Sequence, residues 1–587
     1  MPEAAARGQV ASERTCSKDA KHVVIIGAGA GGTCLAARLA HKGYRVTVVE
    51  RHAGVGGRCS LDFHPQGHRW DVGPSLYLMP EIFDQAFASM GRSRQKLVPL
   101  TLASPAYTIH YHDGRSLQLS SDLTCMGAVL EKFERPCGNP DPLGNFLQFL
   151  NEAGQHYEQS IRWVLGADWT HLLQALTRWE MYPMLFNTRI LHIWTTLYSR
   201  ASSFFYSDHI RRAMTFSSMY MGMSPFDAPA TYSLLQYAEY AKGVWYPIGG
   251  FQRVVAAFEQ IAKEEGASFL FNTNVKQIKL DGVTGTASGV ELSDGRKIEA
   301  DVVVSNADLV STYNKLLPPS SYADRLRRKD QTCSSISFYW GLKEIVPELG
   351  GHNIFLAEAY KESFDEIFRE GKLPSEPSFY VNVPSRLDPT AAPLGRDTLV
   401  VLVPCGPLPL NASTSRAEFE VTRARARRQV IATLNARLAD RREERRAEAG
   451  GGGGGVSKGF EKKTADDAFD IESLIAVEQV MDPFDWQERF DLFRGSILGL
   501  SHTIPQVLWF RPSVQHATYR NLFFCGASTQ PGTGVPVVVA GSAVVAKRID
   551  DFLSKKSNSA SSFLPRSLAN ICATIATLFA LLVAAVR

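Results

Sequence analysis

HVVIIGAGAGGTCLAARLAHKGYRVTVVE, at residues 22–50, is the stretch that decides the fold of this chain. The apolar run HVVIIG predicts a buried strand, and the small residues that follow predict a helix that ends near Gly43. YRVTVVE then predicts a second buried strand. A strand, a helix and a strand at this spacing form a βαβ unit, whose two strands lie parallel in one sheet. The stretch therefore predicts an α/β protein with a doubly wound sheet.

Three glycines stand where the first strand meets the helix, in the spacing GxGxxG. Gly27 allows a tight turn, Gly29 lets a pyrophosphate approach the backbone, and Gly32 lets the helix pack close to the sheet. The phosphates would then lie at the positive end of the helix. Glu50 ends the second strand, where its carboxylate can accept hydrogen bonds from the hydroxyls of an adenosine ribose. These residues together predict a Rossmann-like dinucleotide-binding fold.

A second glycine turn follows Glu50 directly, in ERHAGVGGRCS at residues 50–60. Gly56 and Gly57, with Arg58 next, suit a long and extended cofactor. Here the sequence resembles the FAD-binding amine-oxidase-like superfamily, in which this stretch lies along FAD. The resemblance implies that Arg51 and Arg58 lie beside the phosphates or the flavin. NAD is an alternative reading of the first glycine motif, but the sequence has no second GxGxxG unit for NAD, and the predicted cofactor is FAD.

Three further segments narrow the resemblance to phytoene desaturases of the bacterial and fungal type. They are HRWDVGPSLYLMP at residues 68–80, residues 214–254, and GASTQPGTGV at residues 526–535 with the small residues after it. By this resemblance FAD is bound non-covalently, the backbone of Val275 meets the adenine, and residues 526–536 run beside the isoalloxazine and the ribityl chain. The other cofactor-binding residues that it implies are Pro74, Ser75, Gly526, Gly532, Thr533, Gly534 and Val535.

The predicted domains interleave along the chain, because the strands of the dinucleotide fold recur after long insertions. A disordered N-terminus (1–21) is followed by an FAD-binding domain built from residues 22–80, 241–327 and 498–552. An α+β substrate domain is built from the two insertions, residues 81–240 and 328–497. A linker (553–567) and a transmembrane helix (568–586) complete the chain. Six consecutive glycines at 450–455 predict a flexible linker, and the Arg-rich helix before it is interpreted as a solvated face.

The bulk composition excludes several classes of protein. The net charge of +4 over 587 residues is small, and no basic stripe with interleaved aromatic residues appears, so a nucleic-acid partner is not expected. The nine cysteines are scattered and form no CxxC pair. This pattern argues against a disulfide framework and against a metal site, and it favours a reducing compartment.

The C-terminal end reads RSLANICATIATLFALLVAAVR, and residues 568–586 contain one strongly polar member, Asn570. Nineteen helical residues span roughly 28 Å, which is close to the hydrocarbon thickness of a bilayer. A polar linker with Lys555, Lys556 and Arg566 precedes this stretch. We therefore predict a single-pass tail anchor with a cytosolic body, on an endomembrane such as the endoplasmic reticulum. A buried C-terminal helix is the alternative.

The chemistry implied by the resemblance is removal of a hydride and a proton from adjacent carbons of a hydrocarbon. That reaction needs a flavin to accept the hydride, an apolar channel and the exclusion of water. The Met- and aromatic-rich segment SSMYMGMSPFDAPATYSLLQY at residues 217–237 is a candidate lining. The sequence does not single out a proton acceptor; the candidates are Asp71, Asp227 and Glu239.

The predicted function is FAD-dependent desaturation of 15-cis-phytoene to a coloured acyclic carotene, with lycopene, neurosporene and a didehydrolycopene all left open as products. The expected partners are carotene intermediates, membrane lipid, and oxygen or a quinone as electron acceptor, and homo-oligomerisation is left open. The alternatives are a later-step carotene desaturase, a carotenoid isomerase, a retinol saturase or an amine oxidase. A non-enzymatic lipid binder like the Rab GDP-dissociation inhibitors is a further alternative.

Overall fold

The computed structural model describes residues 20–166, 192, 194–410, 415–450 and 469–555. The predicted N-terminal tail, the glycine-rich linker, and the C-terminal linker and anchor lie wholly or largely outside these ranges. Within them, no helix is both long enough and apolar enough to cross a membrane. The tail anchor therefore stays a prediction of the sequence.

Strands and α-helices alternate irregularly along the described ranges. The strands are β1 His22–Ile26, β2 Arg45–Val49, β3 Leu61–Phe63, β4 Arg69–Asp71, β5 Leu100–Leu102, β6 Tyr107–His110, β7 Ser116–Leu119, β8 Trp245–Pro247, β9 Ser268–Leu270, β10 Val275–Asp281, β11 Thr286–Leu292, β12 Lys297–Glu299, β13 Val302–Ser305, β14 Ser334–Leu342, β15 His352–Phe355, β16 Phe379–Asn382, β17 Thr398–Cys405, β18 Ile475–Met481 and β19 Leu522–Phe524. The helices are α1 Ala30–His41, α2 Pro80–Ala88, α3 Arg94–Leu97, α4 Leu123–Glu134, α5 Pro142–Ser160, α6 Leu197–Ala201, α7 Asp208–Ala213, α8 Leu234–Tyr240, α9 Gln252–Glu264, α10 Leu309–Ser311, α11 Ser321–Arg327, α12 Tyr360–Phe368, α13 Arg416–Gly450, α14 Ile471–Leu474, α15 Pro483–Phe490 and α16 Val535–Lys555.

A parallel sheet of five strands, in the order β19-β13-β1-β2-β9, forms the centre of the predicted dinucleotide fold. Its central strands β1 and β13 are short and buried along their whole length, which is typical of a sheet that is covered on both faces. Helices α1, α9 and α16 pack on one face. The antiparallel sheet β10-β11-β12 contributes to the core on the other face. The βαβ unit predicted from residues 22–50 is thus observed.

A second sheet of seven strands has the order β18-β14-β17-β16-β15-β6-β7. Its pairs are antiparallel except that of β15 with β6, which is parallel. Strands β6 and β7 come from the first long insertion and the other five from the second. The pairing of β6 with β15 therefore joins the two insertions into one α+β unit. This unit stands beside the parallel sheet and supplies a large share of the site.

The Arg-rich helix α13 is more than a solvated face. Its apolar residues recur every four positions, and Ala426, Val430, Leu434 and Leu438 are fully buried against the second sheet. Arg427 of this helix forms ion pairs with Glu472 and Glu478. The interpretation of this helix from its sequence was therefore incomplete, since its charge masks a narrow apolar stripe that covers the sheet.

We expect Leu434→Ala to lower the midpoint of thermal unfolding, because it leaves a cavity between α13 and the second sheet. Deletions of this kind cost about 2–5 kcal/mol. Val421→Ala in the same helix is the matched control, since the Val421 side chain is 71% exposed. Differential scanning fluorimetry of the two variants checks this placement. Equal midpoints for both variants would contradict the packing of α13 on the sheet.

Candidate functional site

One cavity of about 1950 Å³ lies between the carboxyl edge of the parallel sheet and the second sheet. The parallel sheet contributes the ends of β1, β2 and β13, and the second sheet contributes Tyr380, Leu402 and Pro404. Ligand cavities in proteins measure about 300–1,000 Å³. The observed volume is therefore large enough for a dinucleotide and a second elongated molecule together.

The turn between β1 and α1 has the form of an anion cradle. Gly27 has a φ of +94°, and a Cβ on Gly32 would lie 2.2 Å from the carbonyl oxygen of Gly27. Gly29 caps α1 without a side-chain hydrogen bond, and the first turn of the helix has no acidic residue. The first N–H groups of α1 are therefore free to bind an anion such as a pyrophosphate. Gly32 itself packs in the turn and does not line the cavity.

Asn306 braces this turn and was missed by the sequence reasoning. Its Nδ2 donates to the carbonyl oxygen of Gly27 at 3.2 Å. Its side chain fills the space beside the helix, so that a Cβ on Gly31 would lie 2.6 Å from Asn306 Oδ1. The signal that could have found Asn306 is its position: it is the first polar residue after a buried parallel strand, where ligands of open α/β sheets bind.

Glu50 lies at the end of β2, where it lines the cavity although it is buried. One carboxylate oxygen accepts the N–H of Ala28 at 2.7 Å, and the other accepts the N–H of His52 at 2.9 Å. Among the described residues no cation pairs with Glu50. A carboxylate has about four acceptor sites, so Glu50 keeps acceptor capacity that ribose hydroxyls fit. The N–H of Thr273 bonds the Glu50 carbonyl at 2.9 Å and brings the start of β10, with Val275, to the same wall.

The second glycine pair continues the cradle. The N–H of Gly56 donates to the carbonyl of Ala28 at 3.0 Å, and Gly56 and Gly57 have φ values of +131° and +55°. Both glycines line the cavity, as do the two arginines of this segment. Arg51 donates to the carbonyl oxygens of Glu488 and Arg489, while Arg58 donates to that of Ile497.

A charged pair stands next to this segment. Burial lowers the pKa of Arg58 from its ordinary value, although the neighbouring Asp308 raises it to a lesser extent. Burial also raises the pKa of Asp308 to about 6, against the effect of Arg58. Both side chains line the cavity. The arginine thus stands at the dinucleotide half of the cavity, where it can meet an anionic group.

The far end of the cradle comes from the C-terminal segment. Gly526, Gly532 and Gly534 have φ values of +127°, +150° and +102°, which favour glycine. The N–H of Thr533 donates to His502 Nε2 at 3.1 Å, and a Cβ on Gly532 would lie at the same distance from that nitrogen. Helix α16 then starts at Val535 with no acidic residue in its first turn. The segment thus exposes backbone to the cavity.

Arg511 is buried beside this segment and holds its backbone by hydrogen bonds. Its guanidinium is buried and donates to five carbonyl oxygens, those of Leu500, Ser501, Gln506, Ala527 and Thr529. Burial lowers the pKa of Arg511 to about 10. The five hydrogen bonds tie the chain before the cavity to the glycine-rich segment. No local sequence pattern distinguishes Arg511 from a surface arginine, so this role was not predicted.

The structure brings fifteen of the sixteen predicted cofactor residues to this one cavity, and Gly32 supports it from the turn. Those that line it are Gly27, Gly29, Glu50, Arg51, Gly56, Gly57, Arg58, Pro74, Ser75, Val275, Gly526, Gly532, Thr533, Gly534 and Val535. They come from distant regions of the chain. Their convergence gives a continuous wall that runs from Val275 past the glycine turns to α16.

The remainder of the cavity is mainly apolar. From the predicted lining segment 217–237, Met219, Tyr220, Met221, Phe226, Leu234 and Leu235 reach the cavity. Other members of that segment, such as Met223 and Ala228, pack into the protein instead. The segment 504–510 adds further aliphatic and aromatic side chains on another wall. Such a surface binds a slender hydrocarbon and excludes water.

The three candidate proton acceptors have different surroundings. Asp71 accepts the hydroxyl of Tyr246 and the N–H of Phe251 and does not line the cavity, so its oxygens serve the fold. Asp227 lines the cavity, but its side chain is 49% exposed and lies 3.6 Å from Arg369. Glu239 is buried behind the cavity lining. Of the three carboxylates, the structure therefore places only Asp227 at the cavity, where it is partly exposed to solvent.

A dinucleotide cradle that opens into an apolar cavity suits a flavoprotein that acts on an apolar molecule. The model of the family described as flavin-containing amine oxidoreductase matches residues 31–329. A solved structure of putrescine oxidase with bound putrescine has a TM-score of 0.56 at 14% identity, and the match covers 90% of this chain and 99% of that one. That likeness shows the fold.

Two fungal relatives are far more similar in sequence. The phytoene desaturase of Fusarium fujikuroi is 47% identical over 90% of this chain and 89% of its own. The phytoene desaturase of Phycomyces blakesleeanus is 48% identical over 91% of this chain and 86% of its own. The chain therefore belongs to the phytoene desaturases, within the flavin-containing amine oxidoreductases. The family prediction made from the sequence is confirmed.

We expect Gly32→Ala to abolish flavin binding, because its Cβ would lie 2.2 Å from the carbonyl oxygen of Gly27 and force the turn open. Gly54→Ala is the matched control, since a Cβ there meets no atom within 4 Å. The flavin released per protein on denaturation, read by absorbance, is the measurement. A Gly32→Ala protein that keeps as much flavin as the control would show that this turn does not cradle the cofactor.

Proposed function

We propose that this protein is an FAD-dependent desaturase that converts phytoene to a coloured acyclic carotene. Its membership of the phytoene desaturases and of a flavin family supports oxidation of a CH–CH bond. The observation that carries the proposal is the continuity of the cavity: one space joins the glycine cradle to an apolar half. A long hydrocarbon that enters the apolar half meets the far end of the cradle.

The form of the cradle supports FAD over NAD. Backbone that can meet a ligand extends from Val275 and Glu50 through two glycine turns to Gly532 and Val535. A second cradle segment at the far end suits an isoalloxazine ring, which must be held flat against substrate. We propose that FAD binds to the protein non-covalently. Cys525 does not line the cavity, and a Cβ on Gly31 would lie 3.1 Å from its sulfur, which shows that Cys525 faces α1.

A bound flavin supplies the acceptor for the hydride and its two electrons. The protein's own residues bind the cofactor and orient the hydrocarbon. The first turn of α1 and Arg58 hold the phosphates, and Glu50 accepts hydrogen bonds from the ribose hydroxyls. The apolar walls align the hydrocarbon and exclude water, which prevents side reactions of a charge-bearing transition state. Oxygen or a quinone is proposed as the final electron acceptor.

Expression of the full chain in cells that accumulate phytoene tests the function. We expect the colourless phytoene to be replaced by acyclic carotenes with longer conjugation, identified by chromatography and absorbance. Gly532→Val is the matched inactive variant, because its Cβ would lie 3.1 Å from His502 Nε2 at a φ of +150°. Phytoene that persists beside a flavin-loaded wild-type protein would refute the substrate. Conversion of another carotene instead would favour a later-step desaturase or an isomerase.

The proposed location is a membrane surface, with the body in the cytosol and residues 568–586 as the anchor. The support is the apolar length of that stretch and the lipid-soluble nature of the substrate. An endomembrane such as the endoplasmic reticulum would place the cavity near phytoene. The cavity lining itself contributes exposed apolar surface at Trp194, which is 52% exposed.

Deletion of residues 568–587 should release most of the protein from membranes without changing its flavin content, because all the predicted cofactor residues precede residue 536. Sedimentation after a salt and carbonate wash measures the attachment. Deletion of residues 2–19 is a control of similar length. If the C-terminal deletion still sediments fully with membranes, the anchor is absent or a second membrane-binding surface exists.

A further inference from the structure

Glu239 is a buried acid without a basic partner. It lies on α8, is 1% exposed, and accepts the hydroxyl of Tyr107 on Oε1 at 3.0 Å. Among the described residues it forms no ion pair, and the hydroxyl of Tyr240 is its other polar neighbour. Burial raises the pKa of Glu239 to about 8. Ionisation of a carboxylic acid in such a place is unfavourable, and acids of this kind cluster at functional sites.

Two neighbouring tyrosines lie between Glu239 and the cavity. Tyr220 packs against Tyr107, and the two rings stack with centroids 6.5 Å apart. Tyr220 lines the apolar half of the cavity. Tyrosine hydroxyls both donate and accept, and they rotate to suit a neighbour. Tyr220 therefore stands at the cavity, and Tyr107 stands between Tyr220 and the carboxylate of Glu239.

The acidic residues that line the cavity have other hydrogen-bonding or charged partners. Glu50 accepts backbone N–H groups at the ribose position, Asp308 stands beside Arg58, and Asp491 pairs with Lys315. Asp227 is half-exposed beside Arg369. Desaturation releases a proton from carbon for each double bond formed. Among the described residues, Asp227 is the carboxylate that segment 217–237 contributes to the cavity, and it lies 3.6 Å from Arg369 with its side chain 49% exposed.

We propose that Tyr220, Tyr107 and Glu239 form a proton relay for the desaturation. The inference rests on the proposed function. A bound flavin would accept the hydride, with its electron pair, from one carbon of the substrate. The C–H bond of the adjacent carbon then breaks, and its electron pair becomes the new π bond. Tyr220 accepts that proton and passes its own hydroxyl proton to Tyr107, which passes its proton to the Glu239 carboxylate.

The relay predicts a dependence on pH with a defined sign. Glu239 accepts a proton only as the carboxylate, and its raised pKa makes that form minor at neutral pH. The rate should therefore rise with pH and level off above about 8. The titratable groups that act on Glu239 are Tyr107 from β6, Tyr220 from the cavity lining, and Tyr240 on its own helix. Helix α5 packs against α8, but its titratable residues His156 and Tyr157 have other partners. His156 is hydrogen-bonded with Ser233, and Tyr157 donates to Glu81.

Anaerobic single-turnover reduction of the flavin by phytoene in liposomes, followed by absorbance from pH 6 to 9, tests the relay. Glu239→Gln keeps an acceptor for Tyr107 and mimics the neutral acid, so flavin content and thermal midpoint should match wild type. The reduction rate should fall roughly 10²-fold and lose its rise with pH. Tyr107→Phe should behave likewise. Tyr111→Phe is its matched control, since the hydroxyl of Tyr111 donates to the carbonyl of His209.

Two results would overturn the relay. A Glu239→Gln protein that reduces its flavin at the wild-type rate with the wild-type pH profile would show that Glu239 is structural. The relay would also be refuted if Tyr107→Phe and Tyr111→Phe lost rate to the same extent and that loss matched their loss of bound flavin. Failure of phytoene to reduce the flavin of the wild-type protein is a separate outcome and would overturn the proposed function together with the relay.

Discussion

The site depends on one constraint, the parallel pairing of β1 with its neighbours. Three backbone hydrogen bonds continue the ladder beyond the strands: Gly27 N–H to Val49 O, Asn306 N–H to Ile26 O, and Cys525 N–H to Ser305 O. Because the strands run parallel, these three strand ends meet at the same edge. The glycine turn, the polar turn after β13 and the glycine-rich C-terminal segment are thereby placed side by side, although they lie far apart along the chain.

The second sheet completes the cavity, and it too depends on the parallel pairing of strands that are distant in sequence. Strand β6, from the first insertion, pairs with β15, from the second, so neither insertion forms the substrate unit alone. One surface of this unit faces the cradle through Tyr380 and Leu402. The result is a cavity with two chemical halves, one of exposed backbone and buried charge and one of aliphatic and aromatic side chains. A redox cofactor and a hydrocarbon need these two environments in contact.

The sequence predicts well what is encoded locally. Gly27, Gly29, Gly32 and Glu50 follow from spacing alone, because a turn, a close approach and a strand end are local features. The resemblance extends this to the C-terminal glycines. Neither the local sequence patterns nor the resemblance could predict groups whose role comes from long-range contacts. Arg511 acquires five carbonyl partners only when residues 500–506 fold over 527–529. Likewise Glu239 was one of three candidate acids in the sequence, but its hydrogen bond with Tyr107, 132 positions away, could not be predicted.

We infer that one dinucleotide joins residues 27–58 to residues 526–535 through this cradle. An experimental structure of the flavin-loaded protein tests this arrangement. We expect density for FAD with the adenine at Val275, the ribose hydroxyls at Glu50, the pyrophosphate at the start of α1 and the isoalloxazine between Gly532 and the apolar half of the cavity. An isoalloxazine away from residues 526–535, or a nicotinamide dinucleotide in its place, would refute it.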